Sequence, residues 1–101
     1  MNVEPDMTAS VEHDVIGQRF RLLVDGRRVG FADYVVKDHV RVFNHTVVNP
    51  EDQGNGFAGA IIKAALDDSR NLGLHVVPAC SFVRHFIAKN PEYASLIARE
   101  N

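Results

Sequence analysis

The sequence predicts an α+β domain built on a mixed, twisted sheet, and three observations carry that reading. Asp25-Gly26 separates two stretches of alternating apolar and polar residues, a strong signal for a two-residue hairpin turn. A run dense in turn formers, Asn49 to Gly56, separates a third strand-like stretch from a long amphipathic segment. Leu74 to Pro78, short and apolar, follows that segment, and a strand, helix, strand succession calls for a crossover between parallel strands.

Arg19 to Val24 alternates well enough for a half-buried strand, and Arg28 to Val36 answers it across the Asp25-Gly26 turn. Lys37-Asp38-His39 turns the chain again into a third strand, Val40 to Val48, which Pro50 and the glycines after it cannot continue. Ala58, Ile61, Ile62, Ala65, Leu66 and Ser69 then share one face of a helix, with Lys63, Asp67, Asp68 and Arg70 on the other and Gly73 as its stop. After the strand at Leu74 to Pro78, Ser81 is the expected cap of a second helix reaching about Lys89. Asn90-Pro91 offers an N-cap and first position for a short terminal helix.

At 101 residues the chain holds one core, and with 46% of its residues hydrophobic it needs no disulfide staple. Its formal charge of -2 does not mark a nucleic-acid or membrane-surface binder, and no apolar run approaches the ~20 residues of a membrane span. The lone Cys80 and the acidic rather than basic start point to a cytoplasmic protein. Residues 1–14 carry four acids, no Lys or Arg and no apolar period, so they read as a flexible acidic tail, and removing residues 1–12 should hardly change stability. Residues 15–101 then form the folded domain, with nine acids against eleven bases, mildly suited to an anionic ligand.

A strand, a loop ending in Gln53-Gly54-Asn55-Gly56-Phe57-Ala58, and a helix together bring free main-chain N–H groups and a helix dipole to bear on an anion, phosphate above all. Gly54, Gly56 and Gly59 satisfy G-x-G-x-x-G, but the antiparallel lead-in is wrong for a dinucleotide fold. Pro78 and Ala79 also stand where an acid should hold a ribose. No Lys-Ser or Lys-Thr follows the glycines, which excludes a P-loop. The segment Gln53 to Ala58 resembles the Gln/Arg-x-x-Gly-x-Gly/Ala signature of the GNAT superfamily of acyl-CoA-dependent N-acetyltransferases. The surrounding His45 to Leu66, the stretch Leu74 to Val83 and the run Lys89 to Tyr93 are similar to its small single-domain branch. The resemblance covers roughly residues 18 to 97 and makes residues 15–101 a minimal GNAT-like domain.

The resemblance implies that Gln53, Gly54, Asn55, Gly56, Phe57 and Ala58 hold the pyrophosphate of acetyl-CoA or CoA. It implies too that the pantetheine arm pairs with the strand His45-Thr46-Val47-Val48 in a gap between two splayed strands. The expected activity is transfer of an acetyl group to an amine whose identity the sequence leaves open, by a monomer or weak dimer. The sequence lacks the N-terminal helical pair and C-terminal strands that enclose an acceptor in longer members. It also lacks their frequent tyrosine after the second splayed strand, where Phe86 is the nearest aromatic.

Cys80, at the start of a helix whose dipole favours thiolate, is the leading catalytic candidate as acid or nucleophile, and a small buried hydrophobe is its bland alternative. His45, placed by alternation on the strand face of Phe43 and Val47, is a candidate base, against the reading of a core histidine. The His and Cys spacing fits no metal site, and none is expected. Arg84 and Lys89 fall on different helical faces and read as solvated charge, while Ser81 has no His-Asp partner. Two rival readings remain at this stage: a non-catalytic CoA-binding or interaction module, and a generic nucleotide-binding α/β domain.

Overall fold

The computed structural model describes residues 8–98. In chain order it has β1 (Ala9–Asp14), β2 (Arg19–Val24), β3 (Arg27–Lys37), β4 (Val40–Val48), a 3-10 turn (Pro50–Asp52) and α1 (Phe57–Asn71). There follow β5 (His75–Pro78), α2 (Ser81–Lys89) and a terminal 3-10 segment (Pro91–Leu96). The strands form one sheet in the order β1-β2-β3-β4-β5, antiparallel through β4 and parallel between β4 and β5. This is the mixed α+β architecture expected from the sequence.

Both tight hairpins turn through left-handed residues. Asp25 and Gly26 take φ of 52° and 81°, and Asp38 and His39 take 53° and 66°, the pair of positive values that matches strand twist in a two-residue loop. The crossover from β4 through α1 to β5 ends at Gly73, whose φ is 75°. Its N–H donates to Arg70 O at 3.0 Å and that of Leu74 to Ser69 O at 2.9 Å, which satisfies the last helical carbonyls.

Alternation along β2 and β3 turns Phe20, Leu22, Val24, Val29, Ala32 and Tyr34 into the core, where Ile61, Ile62, Ala65 and Leu66 of α1 meet them. Val83 and Ile87 of α2, with Tyr93 and Leu96, extend the same core, so both helices lie on one face of the sheet. The other face, with Arg19, Phe31, Val35 and His45, carries no helix among the described residues.

The structure corrects the reading of the N-terminal segment. Residues 9–14 are not a tail but an edge strand, in register with β2 from Ala9↔Val24 to Asp14↔Arg19; residues 1–7 of the expected tail, and residues 99–101, lie outside the described residues. The strand shows no apolar period because cross-strand pairs hold it instead of a buried face. Arg21 reaches Glu12 at 3.4 Å and Asp14 at 3.2 Å, and His13 stacks on Phe20 with ring centroids 3.9 Å apart while sharing a 2.7 Å hydrogen bond with the Tyr34 hydroxyl.

Two caps also differ. Cys80 rather than Ser81 is the N-cap of α2, because its N–H is drawn to Phe43 O at 2.9 Å and holds it extended, so the helix begins one residue sooner. Asn90 precedes Pro91 as expected, yet its side chain turns back to donate to Phe86 O at 2.8 Å and closes α2 instead of capping the next segment.

Removing residues 1–14 is therefore expected to cost about 1–3 kcal/mol, the stacking and hydrogen bond of His13 together with an edge strand. Urea unfolding of the truncated chain measures it, and unchanged stability would show that β1 only decorates the sheet. Burial, against the opposing pull of Asp68, lowers the His13 pKa below its ordinary value. The unfolded chain therefore binds this proton first, and the stability due to neutral His13 is present above pH ~6.5 and lost as pH falls through the folded-state pKa.

Candidate active site

The site begins where two parallel strands stop pairing. β4 and β5 run together from Val40↔His75 to Phe43↔Pro78, after which β5 ends and its chain turns into α2 while β4 continues to Val48. At the same level a β-bulge shifts the β3–β4 register between Asp33↔His45 and Tyr34↔Phe43, leaving Asn44 as the extra residue. Asn49 N–H donates to Val29 O at 2.9 Å, and antiparallel alternation then turns the main-chain groups of Thr46 and Val48 away from β3, toward the gap. Gln53 Nε2 donates to Val48 O at 3.2 Å, from the gap side.

The loop from Asn49 to Gly56 is braced from behind. Asp52 is buried and takes both guanidinium nitrogens of Arg27, at 3.0 and 2.7 Å, which hold its carboxyl below the ordinary carboxylate range. Asn55 Nδ2 donates to Asp52 O at 3.0 Å. Gly54 and Gly56 take φ of 88° and 75°, a conformation that strains L side chains, and a Cβ at either would meet no atom within 4 Å. Conformation and open space above the loop, rather than tight packing, set these two positions.

Gly56 is the N-cap of α1, with no capping side chain and no acid in the first turn. The first helical N–H groups therefore keep their donors for something else. They border a hollow of about 310 Å³ lined by Val48, Gln53, Gly54, Gly56, Phe57 and Phe82, among others. α2 starts on the same side, also without an acid in its first turn, so two positive helix ends converge at the carboxyl ends of β4 and β5.

Cys80 sits at the mouth of this gap, 9% exposed, with Sγ 3.5 Å from Thr46 Oγ1. Burial pushes the thiol pKa up, but the Thr46 hydroxyl and the main-chain donors of Phe82, Val83 and Thr46 outweigh it and bring the thiol below its ordinary value. His45 is elsewhere. The bulge at Asn44 interrupts alternation, so Phe43 and Thr46 face the core while His45 is exposed on the opposite face, its ring 5.8 Å from that of Phe31. The expectation that His45 shares a face with Phe43 is overturned, as is its alternative as a core histidine.

The structure thus places Val48 along one hollow with Gln53, Gly54, Gly56, Phe57 and Ala58, sets Cys80 against Thr46, and holds His45 apart. Sequence reasoning missed Phe82, the Arg27–Asp52 brace and the Thr46 side chain as partner of the thiol. Phe82 alone had a visible signal, an aromatic lying off the Val83 and Ile87 core stripe. Among the described residues no group of three His, Cys, Asp or Glu side chains is placed to hold a metal.

A mixed sheet whose parallel strands part over a glycine loop and a helix start defines the α+β class of the fold, and comparison with known proteins makes the assignment specific. The family profile described as GCN5-related N-acetyl-transferase matches residues 19–96, and the chain belongs to that family of N-acetyltransferases. A protein from Staphylococcus aureus assigned as a GCN5-like N-acetyltransferase superposes with a TM-score of 0.68 at 20% identity, over 91% of this chain and 90% of its own. The ribosomal-protein-S18-alanine N-acetyltransferase of Escherichia coli gives 0.56 at 23% identity, over 77% of this chain and half of its own length. The aminoglycoside N-acetyltransferase AAC(6')-Iy, solved in complex with CoA, gives 0.51 at 20% identity, over 82% of this chain and 60% of its own. No curated protein matches the sequence. At these identities the structural likenesses establish the fold.

Replacing Thr46 by Val removes the hydroxyl beside the thiol and is expected to raise the pH at which Cys80 reacts with iodoacetamide, measured as the midpoint of alkylation rate against pH. An unmoved midpoint would show that the helix amides alone set the thiol.

Proposed function

We propose that this chain binds acetyl-CoA through the loop Gln53 to Ala58 and transfers its acetyl group to an amine, with Cys80 beside the reacting sulfur. One observation carries the reading: uncapped N–H groups at the start of α1 and the free main-chain edge of β4 border the same hollow, over glycines with open space above them. The first suits a pyrophosphate and the second an arm of secondary amides, and coenzyme A has both in that order.

When bound, the thioester supplies an activated acetyl group. The chain's own residues then have three tasks. Gln53 to Ala58 hold the diphosphate by main-chain donors; Thr46 and Val48 pair with the amides of the arm and fix its depth; Cys80 manages a proton at Sγ. The lowered thiol pKa and its donors suit either of two roles, a donor to the departing CoA sulfur or a nucleophile that carries the acetyl group. A stoichiometric burst of acetylated protein before steady turnover supports the nucleophile, and its absence supports the donor.

Gly56→Val places a β-branched residue at a φ of 75° and in the space of the phosphate, so stability is expected to fall by about 1–2 kcal/mol. CoA affinity should fall further, by roughly two to four orders of magnitude, through loss of two charge-assisted hydrogen bonds. Calorimetry on the folded variant checks it, and unchanged affinity would reduce the loop to a turn. Cys80→Ala is expected to keep CoA affinity within about threefold while acetyl transfer drops, measured by release of free CoA thiol. Full transfer by that variant would return Cys80 to the core, and tight CoA binding with no transfer in the wild type would favour a non-catalytic binding module.

A further inference from the structure

We infer that the helix-free face of the sheet docks a second copy of this chain, related by a two-fold axis that runs along the strands between β2 and β3. An antiparallel sheet with one face on a core ordinarily shows polar side chains to water on the other. Here Phe31 pairs with Val47 and Val35 with Val42 across β3 and β4, and these apolar side chains lie on the face that carries no helix among the described residues. Val35 is 46% exposed. Covering such a surface is favourable, and the charges around it decide which molecule covers it.

The charge pattern selects a copy of the chain itself. Register sets Asp14, Arg19, Asp33 and His45 at one level across β1 to β4, and Glu12, Arg21 and Phe31 at the next. Acids and arginines alternate along these levels, so a partner of one sign would meet like charge as often as opposite. A two-fold axis between β2 and β3 exchanges the two strands and keeps each level. It therefore sets Arg19 of one copy over Asp33 of the other, Arg21 over Phe31, and Asp14 over His45. Within one chain Arg19 already donates to Asp33 at 2.6 and 3.0 Å and lies 3.7 Å from the centre of the Phe31 ring. The exchange turns that pair into a closed ring of alternating charges at the middle of the contact.

The overlap of β1 to β4, strands about 4.8 Å apart and about 25 Å long, covers roughly 500 Å² on each copy. About 1,000 Å² in all is the lower bound of a specific interface, so the dimer is a weak one, with a dissociation constant on the order of micromolar. The hollow at the glycine loop opens between the helix starts on the other side of the sheet and stays clear of the contact.

Sedimentation velocity on the full chain, from about 1 to about 200 μM, tests the contact, with melting temperatures measured alongside. The wild type is expected to pass from monomer to dimer over that range. Val35→Glu brings a carboxylate against its own copy across the axis and is expected to weaken dimerisation about a hundredfold. Val36→Glu is the matched control. Val36 is 47% exposed and next in sequence, but it pairs with the core-facing Arg41 and lies on the opposite face, so its dimer should persist unchanged. His45→Glu, which opposes Asp14 of the second copy, should act as Val35→Glu does and replaces it if that variant does not fold. A wild type still monomeric at about 200 μM, a dimer that survives Val35→Glu or His45→Glu, or an equal loss in Val36→Glu would overturn the inference. None of these outcomes bears on the coenzyme A reading.

Discussion

The early parting of β4 from β5 is the constraint on which the rest of the site depends. Pro78 has no N–H and ends the parallel ladder after four pairs, Cys80 N–H takes the next carbonyl of β4, from Phe43, and Arg84 clasps the carbonyls of the corner. β4 cannot follow β5 into that turn, so its last residues run on with no neighbouring strand beside Thr46 and Val48 on one side, where Gln53 reaches the Val48 carbonyl. A bare strand edge invites unwanted pairing. Here it is short, and Gln53 Nε2 already occupies the Val48 carbonyl at 3.2 Å.

The molecule separates stability from function along α1. The first turn is left to the hollow, while the last turns are tied to the sheet by Arg41, which is buried and donates to Asp68 at 2.8 Å and Ser69 at 3.1 Å beneath the ring of Tyr34. A buried guanidinium is tolerable only when so partnered, and its Nε still finds no acceptor among the described residues. That concentration of polar contacts at the far end of β4 fixes the direction of α1. Its open end is consequently held over the gap without any contact from the loop that would block a ligand.

Much of this was legible in the sequence, and the reasons differ by element. Asp25-Gly26 announced a turn because few dipeptides accept two positive φ values, and the β4–α1–β5 crossover followed from an unmistakable helical face ending in Gly73. The glycine loop was legible for the same conformational reason. β1 was not, because its cohesion comes from Arg21 and Phe20 on another strand and leaves no period in its own residues. The bulge at Asn44 was equally silent: a bulge inserts one residue and reverses alternation beyond it, so His45 was assigned to the wrong face and Thr46 was valued for its main chain alone. Nor did Cys80 look like a cap, since oxygen-bearing side chains are the ordinary choice and Ser81 stood next to it.

That last misreading bears on the chemistry. A cysteine kept only for its volume should lie among apolar atoms, where burial raises its pKa and makes it inert. Cys80 is buried, yet it occupies the N-cap of α2, the position from which a side chain meets the uncompensated N–H groups of the first turn, and the Thr46 hydroxyl meets it from β4. The sulfur makes no capping hydrogen bond of its own, yet its place beside these N–H groups and the Thr46 hydroxyl favours the thiolate and brings the thiol below its ordinary pKa. The bulge makes this possible, because regular alternation through Asn44 would have turned Thr46 outward and His45 inward. The bulged conformation at Asn44 therefore decides which side chain meets the thiol, and it sets a hydroxyl rather than an imidazole beside Cys80.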